Sequence, residues 1–248
     1  MNKVFNDIIK DSTSGSAELL EKLVYYFYKR ISDGKEVRNE IRIALSKLNH
    51  FAIIKYHLDK LELLMSKQDI RFIKRYLLSI IENEANIYLK IFSSIPIHYK
   101  KSKKIFTLSN SKTVYEVLKL WHQYNKNILV TVAESQPECE GKILVKRLKR
   151  MKINTELIYD NTISKHIEKS DLILLGCDMI LKNDNIINKT GSRDAAIIAK
   201  HFKKPVIIVS SKLKRIRNWN TLIKGRNESE KFLFEKVENK LISLIITE

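Results

Sequence analysis

The stretch SDLILLGCDMILKNDNIINKTGSRDAAIIAK, residues 170 to 200, decides how this chain folds. Asp171 to Leu175 is a short apolar run suited to a strand buried on both faces of a parallel sheet. Gly176 lets the backbone turn where that strand ends. Ligands of open α/β sheets sit beyond the carboxyl ends of the strands, so Asp178 would stand at the mouth of any site the fold makes. Asn183, Asp184 and Asn185 tolerate positive φ and predict a tight turn that carries Ile186 and Ile187 back toward the sheet. Asn188 and Lys189 precede a helix opened by Gly191 and Ser192, with Ser192 as its cap. Free N–H groups there, with the Lys189 ammonium, favour an anion such as phosphate.

Outward from this stretch the same pattern repeats. Ile105 to Leu108, Ile128 to Val132, Thr155 to Ile158 and Val206 to Val209 are further short strand candidates. Helical spacing fills the intervals near 112 to 124, 140 to 151, 161 to 168 and 192 to 202. Such alternation implies an α/β class with a Rossmann-like parallel sheet. After Ser210 the pattern weakens: Lys212 to Phe232 is basic and irregular, and Leu241 to Ile246 reads as a last strand.

Residues 1 to about 95 hold two of the six glycines and no proline, and their apolar residues recur at helical spacing. Four helices are predicted: one capped within Ser12 to Ser14 and ending near Gly34, then 37 to 48, 51 to 65 and 70 to 92. The last, with Ile73, Leu77, Ile80, Ile81, Ala85, Ile87 and Leu89, is expected to be buried on more than one side. Pro96 and the basic HYKKSKK segment mark a boundary, giving a helical domain over 1–98 and a Rossmann-like α/β domain over 99–248.

The formal charge is +18. Lysine and arginine cluster at 100 to 104, 146 to 152, 200 to 204 and 212 to 217, which leaves RNA or an acidic protein as partner classes. The plainer reading is a lysine-rich set of solvated surfaces, because these clusters carry no run of interleaved aromatic residues such as a stacking platform needs. No apolar run reaches the ~18 residues of a membrane span, and MNKVFNDIIKD lacks a signal-peptide core, so a soluble cytoplasmic protein is expected. Cys139 and Cys177 are too few and too far apart for a zinc site or local redox pair, and no nucleotide-binding glycine loop occurs, so neither metal nor cofactor is implied.

The run GCDMILKNDNIINKTGS, with IFTLSNSKTV at 105 to 114 and VAESQPECEGKIL at 132 to 144, resembles the family that joins the alpha, beta and delta subunits of initiation factor 2B to the methylthioribose-1-phosphate and ribose-1,5-bisphosphate isomerases. The resemblance covers roughly 105 to 210. It implies a helical domain before a Rossmann-like sheet domain, a homodimer formed through that second domain, and partners such as initiation factor 2 or related subunits. It also implies a ligand site, for a sugar phosphate or a nucleotide, built from Ser109, Glu134, Gln136, Asp178, Asn188 and Lys189.

Three positions depart from the isomerases of that family. Their cysteine falls on Ser109 and the histidine before it on Leu108, and a serine hydroxyl is a far weaker acid than a thiol. Gln136 stands where they carry an arginine that can hold phosphate through two hydrogen bonds. TSGSA at 13 to 17 lies where they carry an Arg-Gly-Ala turn. The first expectation is therefore a non-catalytic initiation factor 2B-like subunit. The alternative is an aldose-ketose isomerase of a phosphorylated ribose using Asp178 and Ser109, with Cys177 as a substitute thiol, and the second alternative is a basic RNA-binding protein. In the family a comparable ITE segment is followed by a glycine-containing tail, whereas this sequence stops at Glu248, so either that tail is dispensable or a piece of the site is missing.

Overall fold

A computed structural model describes residues 2–216 and 233–248. It holds two compact units, Met1–Asn86 and Ile87–Glu248. The first is built from α1 (Lys3–Ile9), α2 (Ser16–Ser32), α3 (Arg38–Leu48), α4 (Ala52–Lys67) and α5 (Ile70–Glu82). Helix α1 was not expected, since it is only seven residues long; Phe5 and Ile8 are nevertheless buried, Phe5 against Tyr26 and Phe27. The helix expected over 70 to 92 breaks at Asn83 into α5 and α6 (Glu84–Ser94). Helix α5 buries only Ile73 and Leu77, so the expected burial on several sides does not occur there.

Inside this unit His57 Nδ1 and the Tyr76 hydroxyl hydrogen-bond at 2.9 Å. Burial, with help from Lys60, pulls the imidazole pKa down to about 4. The folded state thus favours neutral His57, and its contribution is complete above pH 6.5 and lost as pH falls toward 4. At 1.36 kcal/mol per pKa unit this amounts to roughly 3 kcal/mol. Urea unfolding between pH 7 and 4 should show that loss, and His57→Gln should flatten it; an unchanged slope would place the titration elsewhere.

The second unit contains the sheet. Strands β1 (Lys104–Leu108), β2 (Leu129–Ala133), β3 (Asn154–Ile158), β4 (Leu172–Leu175), β7 (Val206–Val209) and β9 (Leu244–Ile246) form one parallel sheet in the order β3-β2-β1-β4-β7-β9. Alternate residues feed opposite faces. Ile105, Val130, Leu172, Leu174 and Ile207 pack with Val114, Val117 and Trp121 of α8 (Lys112–Tyr124) and with Leu144 and Leu148 of α9 (Glu140–Arg150). Phe106, Ile173, Val206 and Ile208 pack with α10 (Ile163–Lys169) and α11 (Ser192–His201). Each fully buried Leu, Ile or Val contributes roughly 1.5–3 kcal/mol, so both faces are held firmly.

Tyr88, Ile91 and Ile95 belong to the first of these cores, followed by the short helix α7 (Ile97–Lys100). The units therefore divide between Asn86 and Ile87, ahead of the 98/99 boundary placed at Pro96, because the apolar face of α6 continues into the sheet's core. The hairpin expected around Asp184 forms, with Asp184 at φ 58°. Its strands β5 (Met179–Ile180) and β6 (Ile186–Lys189) join β8 (Phe234–Val237) in a separate antiparallel sheet and do not return to the main one. The terminal strand is shorter than expected, with a 3-10 turn at Asn239–Leu241 before it. Residues 217–232, read as basic and irregular, lie outside the described residues. Among the described residues no helix is long and apolar enough to cross a membrane.

Candidate functional site

The carboxyl ends of β1, β2 and β4 deliver three short loops to one edge of the sheet. Beyond β1, Ser109 takes φ 62°, a left-handed conformation, and is buried. Its backbone N–H donates to Ser135 Oγ at 2.7 Å, and that hydroxyl donates in turn to the Ala133 carbonyl. Ser135 also has φ 62°. The Asp160 carboxylate, just past β3, accepts from the backbone N–H of Ser135 at 2.9 Å and of Gln136 at 2.7 Å, which pins the Glu-Ser-Gln-Pro loop. Leu108, Ser135, Gln136, Asp160, Gly191 and Asp194 border an open cleft of about 440 Å³ at this edge.

Glu134 is buried, with Lys142 Nζ 3.2 Å from Oε2 and the Gln136 amide donating to Oε1 at 3.3 Å. Gln136 itself is exposed. Beyond β4, Asp178 is only 7% exposed; its backbone N–H donates to the Ile187 carbonyl, and its carboxylate has no hydrogen bond or ion pair among the described residues. Neither Asp178 nor Ser109 hydrogen-bonds the other. Burial pushes the Cys177 thiol up to about 11, which keeps it protonated at neutral pH and removes the thiolate that acid-base work would need.

The turn before α11 is occupied from within. Lys189 Nζ lies 2.9 Å from Glu140 Oε1, and Glu140 is 3% exposed. Oε1 accepts no well-aligned hydrogen bond, so the attraction is mainly Coulombic. The Asn188 amide donates to Ser192 Oγ at 2.8 Å, and that hydroxyl donates to the Lys189 carbonyl at 2.6 Å. Ser192 is therefore not the helix cap; Gly191, at φ 93°, holds that position because it takes the left-handed turn without steric cost. The Arg193 N–H donates to Glu235 Oε1 of β8 at 2.8 Å, so a carboxylate of the chain itself sits at this helix N-terminus. Burial raises the Glu235 pKa, while hydrogen bonds from the Arg193 and Gly191 backbone oppose that.

Sequence reading missed Ser135, Glu140, Asp160, Lys214 and Glu235. Asp160 had a legible signal, a polar residue just past a strand, as Asp178 has. Lys214 lay in a basic cluster, yet it is 5% exposed and donates to the Cys177 carbonyl at 2.7 Å. Among the described residues no group of three histidine, cysteine or acidic side chains is arranged to hold a metal.

A parallel sheet in this order with polar loops at its carboxyl edge defines a Rossmann-like α/β domain. The chain belongs to the initiation factor 2 subunit family, whose sequence profile matches residues 3–243. It is 30% identical over 141 residues to the translation initiation factor eIF2B subunit alpha of Caenorhabditis elegans, spanning 57% of this chain and 46% of that protein. It is also 30% identical over 115 residues to the ribose 1,5-bisphosphate isomerase of Archaeoglobus fulgidus, spanning 46% of this chain and 37% of that one. The chain thus spans less than half the length of these relatives. In fold it resembles a chain of the tetrameric eIF2B-beta2-delta2 complex from C. thermophilum, with a TM-score of 0.74 and 18% identity over 98% of this chain and 89% of that one.

Proposed function

We propose that this chain acts as a non-catalytic subunit of the initiation factor 2B type, binding partners in translation initiation. The observation that carries this reading is Ser109. At the position of the isomerases' cysteine it offers a weakly acidic hydroxyl on a backbone whose N–H is already committed to Ser135. The neighbouring thiol of Cys177 is buried and protonated, and the exposed Gln136 amide brings no charge to a phosphate. The internal pairing of Lys189 with Glu140, and of the α11 N-terminus with Glu235, supports the same reading.

A second reading keeps the pocket as a binding site that does not convert its ligand, a sugar phosphate or nucleotide. The buried carboxylate of Asp178, without a partner among the described residues, favours it, since such a group ordinarily has one. The partners we propose are a second copy of the chain, through the α/β unit, and initiation factor 2 or related subunits. Light scattering should then give about twice 29.1 kDa, and a mass of 29.1 kDa would remove the homodimer.

Turnover of ribose-1,5-bisphosphate and methylthioribose-1-phosphate tests the catalytic question. We expect none. Turnover that disappears in Asp178→Asn would make the chain an isomerase. A thermal shift with either sugar phosphate, AMP or GMP, without turnover, would establish the second reading.

A further inference from the structure

The opposite edge of the sheet carries a feature that the strand order alone brings together. Each strand is preceded, within four residues, by an exposed lysine. In spatial order from β3 to β9 these are Lys152, Lys126, Lys103, Lys169, Lys203 and Lys240. With neighbouring strands about 4.8 Å apart, six strands set this row along roughly 24 Å. Among the described residues none of these ammonium groups lies within ion-pair distance of a carboxylate. Of the acids nearby, Asp171 has Oδ2 occupied by the backbone N–H groups of Lys103 and Lys104, and Glu168 sits exposed in the last turn of α10.

At the β7 end the row deepens into a cleft of about 480 Å³ lined by Lys200, Lys203, Lys204 and Lys240 with His98 and Tyr99. The His98 and Tyr99 rings lie 4.0 Å apart between centroids. Tyr124, the last residue of α8 before β2, is 53% exposed at the same edge. His98 and Tyr99 directly precede the Lys100 to Lys104 cluster, whereas Tyr124 is brought to the edge from another segment. One cation per helix end would offset the macrodipole, but Lys200 and His201 in the last turn of α11 are followed at once by Lys203 and Lys204.

We infer that this amino-terminal edge of the sheet binds single-stranded nucleic acid through its phosphate backbone. A row of lysines unpaired among the described residues acts as point charges that follow a phosphodiester chain without reading its bases, and the exposed rings of His98 and Tyr124 offer faces on which bases stack. The edge lies at the other end of the strands from the site described above, so the inference does not depend on what that site does.

The test is fluorescence anisotropy of the whole protein with a labelled oligouridylate of about 20 nucleotides, longer than the 4–16 that one single-strand-binding fold covers. We expect binding at about 50 mM salt that weakens steeply as salt rises. Lys200→Gln/Lys203→Gln/Lys240→Gln should lose at least about tenfold in affinity, and its log-log salt slope should be shallower by about 2, at about 0.7 per phosphate contact. Lys165→Gln/Lys182→Gln/Lys212→Gln removes the same charge from exposed positions elsewhere in the unit and should leave affinity within about twofold. Tyr124→Ala should weaken binding several-fold with the salt slope unchanged. Melting temperatures of all variants, equal to that of the unsubstituted protein, show that folding is intact. No binding at about 50 mM salt, or equal losses in the two triple variants, would overturn the inference. So would displacement of the oligonucleotide by polyglutamate of equal charge with no effect of Tyr124→Ala, which would assign the edge to an acidic protein.

Discussion

Lys189→Met is expected to destabilise the α/β unit by roughly 3–5 kcal/mol, the usual cost of leaving a buried charge without its partner. Glu140 is 3% exposed and Lys189 Nζ, at 2.9 Å, is its counter-ion. Methionine keeps most of the side-chain volume and its contact with Phe234, over whose ring the ammonium lies at 5.1 Å, but it removes the charge. The carboxylate must then protonate, draw in water or move. Equilibrium urea unfolding measures the loss. The double variant Lys189→Met/Glu140→Leu should recover most of it, because replacing both ions by apolar groups abolishes the desolvation cost. If the double variant is as unstable as the single one, the pair is not what the substitution disturbed. The same experiment bears on function, since a Lys189 that is structurally committed has no charge to give a phosphate.

Gly141→Ala should be about as damaging for a different reason. A Cβ built there would overlap the Ala133 carbonyl oxygen and stand 2.9 Å from its carbon. Both are backbone atoms of β2, a strand paired on both sides, so neither can give way cheaply. Overpacking ordinarily costs 1–3 kcal/mol where side chains can adjust, and about 3 kcal/mol or more is expected where only main chain is met. For a chain of this size that is a fall of roughly 6–12 °C in melting temperature. Circular dichroism would show it, and a fall under ~2 °C would mean that α9 shifts freely against β2. Gly141 N also donates to the Glu134 carbonyl at 3.1 Å, so a displaced α9 would carry the Glu134 to Gln136 loop with it.

Much of the architecture was legible in the chain. Short apolar runs ending in Gly176 and Asp178, or in Leu108 and Ser109, suit strands buried on both faces, and the helical spacing between them implies a parallel sheet. The family pattern likewise located Ser109, Glu134, Asp178 and the turn at Asn188 on one edge. The helix expected over 70 to 92 failed at Asn83 because apolar spacing is nearly continuous through the break. Strand β8 was missed because its partner, β6, lies almost fifty residues earlier, and FEKV carries little pattern of its own.

Residue types and local periodicity, which depend on near neighbours in the chain, were set by the sequence alone: the two-part organisation, the strands of the parallel sheet, and the absence of a thiol at residue 109. Only the tertiary structure decided which charges are free. Lys189 reads as an available ammonium until Glu140 is found 2.9 Å away, and the α11 N-terminus reads as vacant until β8 brings Glu235 to it. Conversely, Lys152 and Lys240 are eighty-eight positions apart in the chain yet end the same row of lysines, because parallel strands align their amino ends whatever the distance between them in sequence. Electrostatic energy depends on separation in space and on burial, and neither is a property of a residue read in isolation.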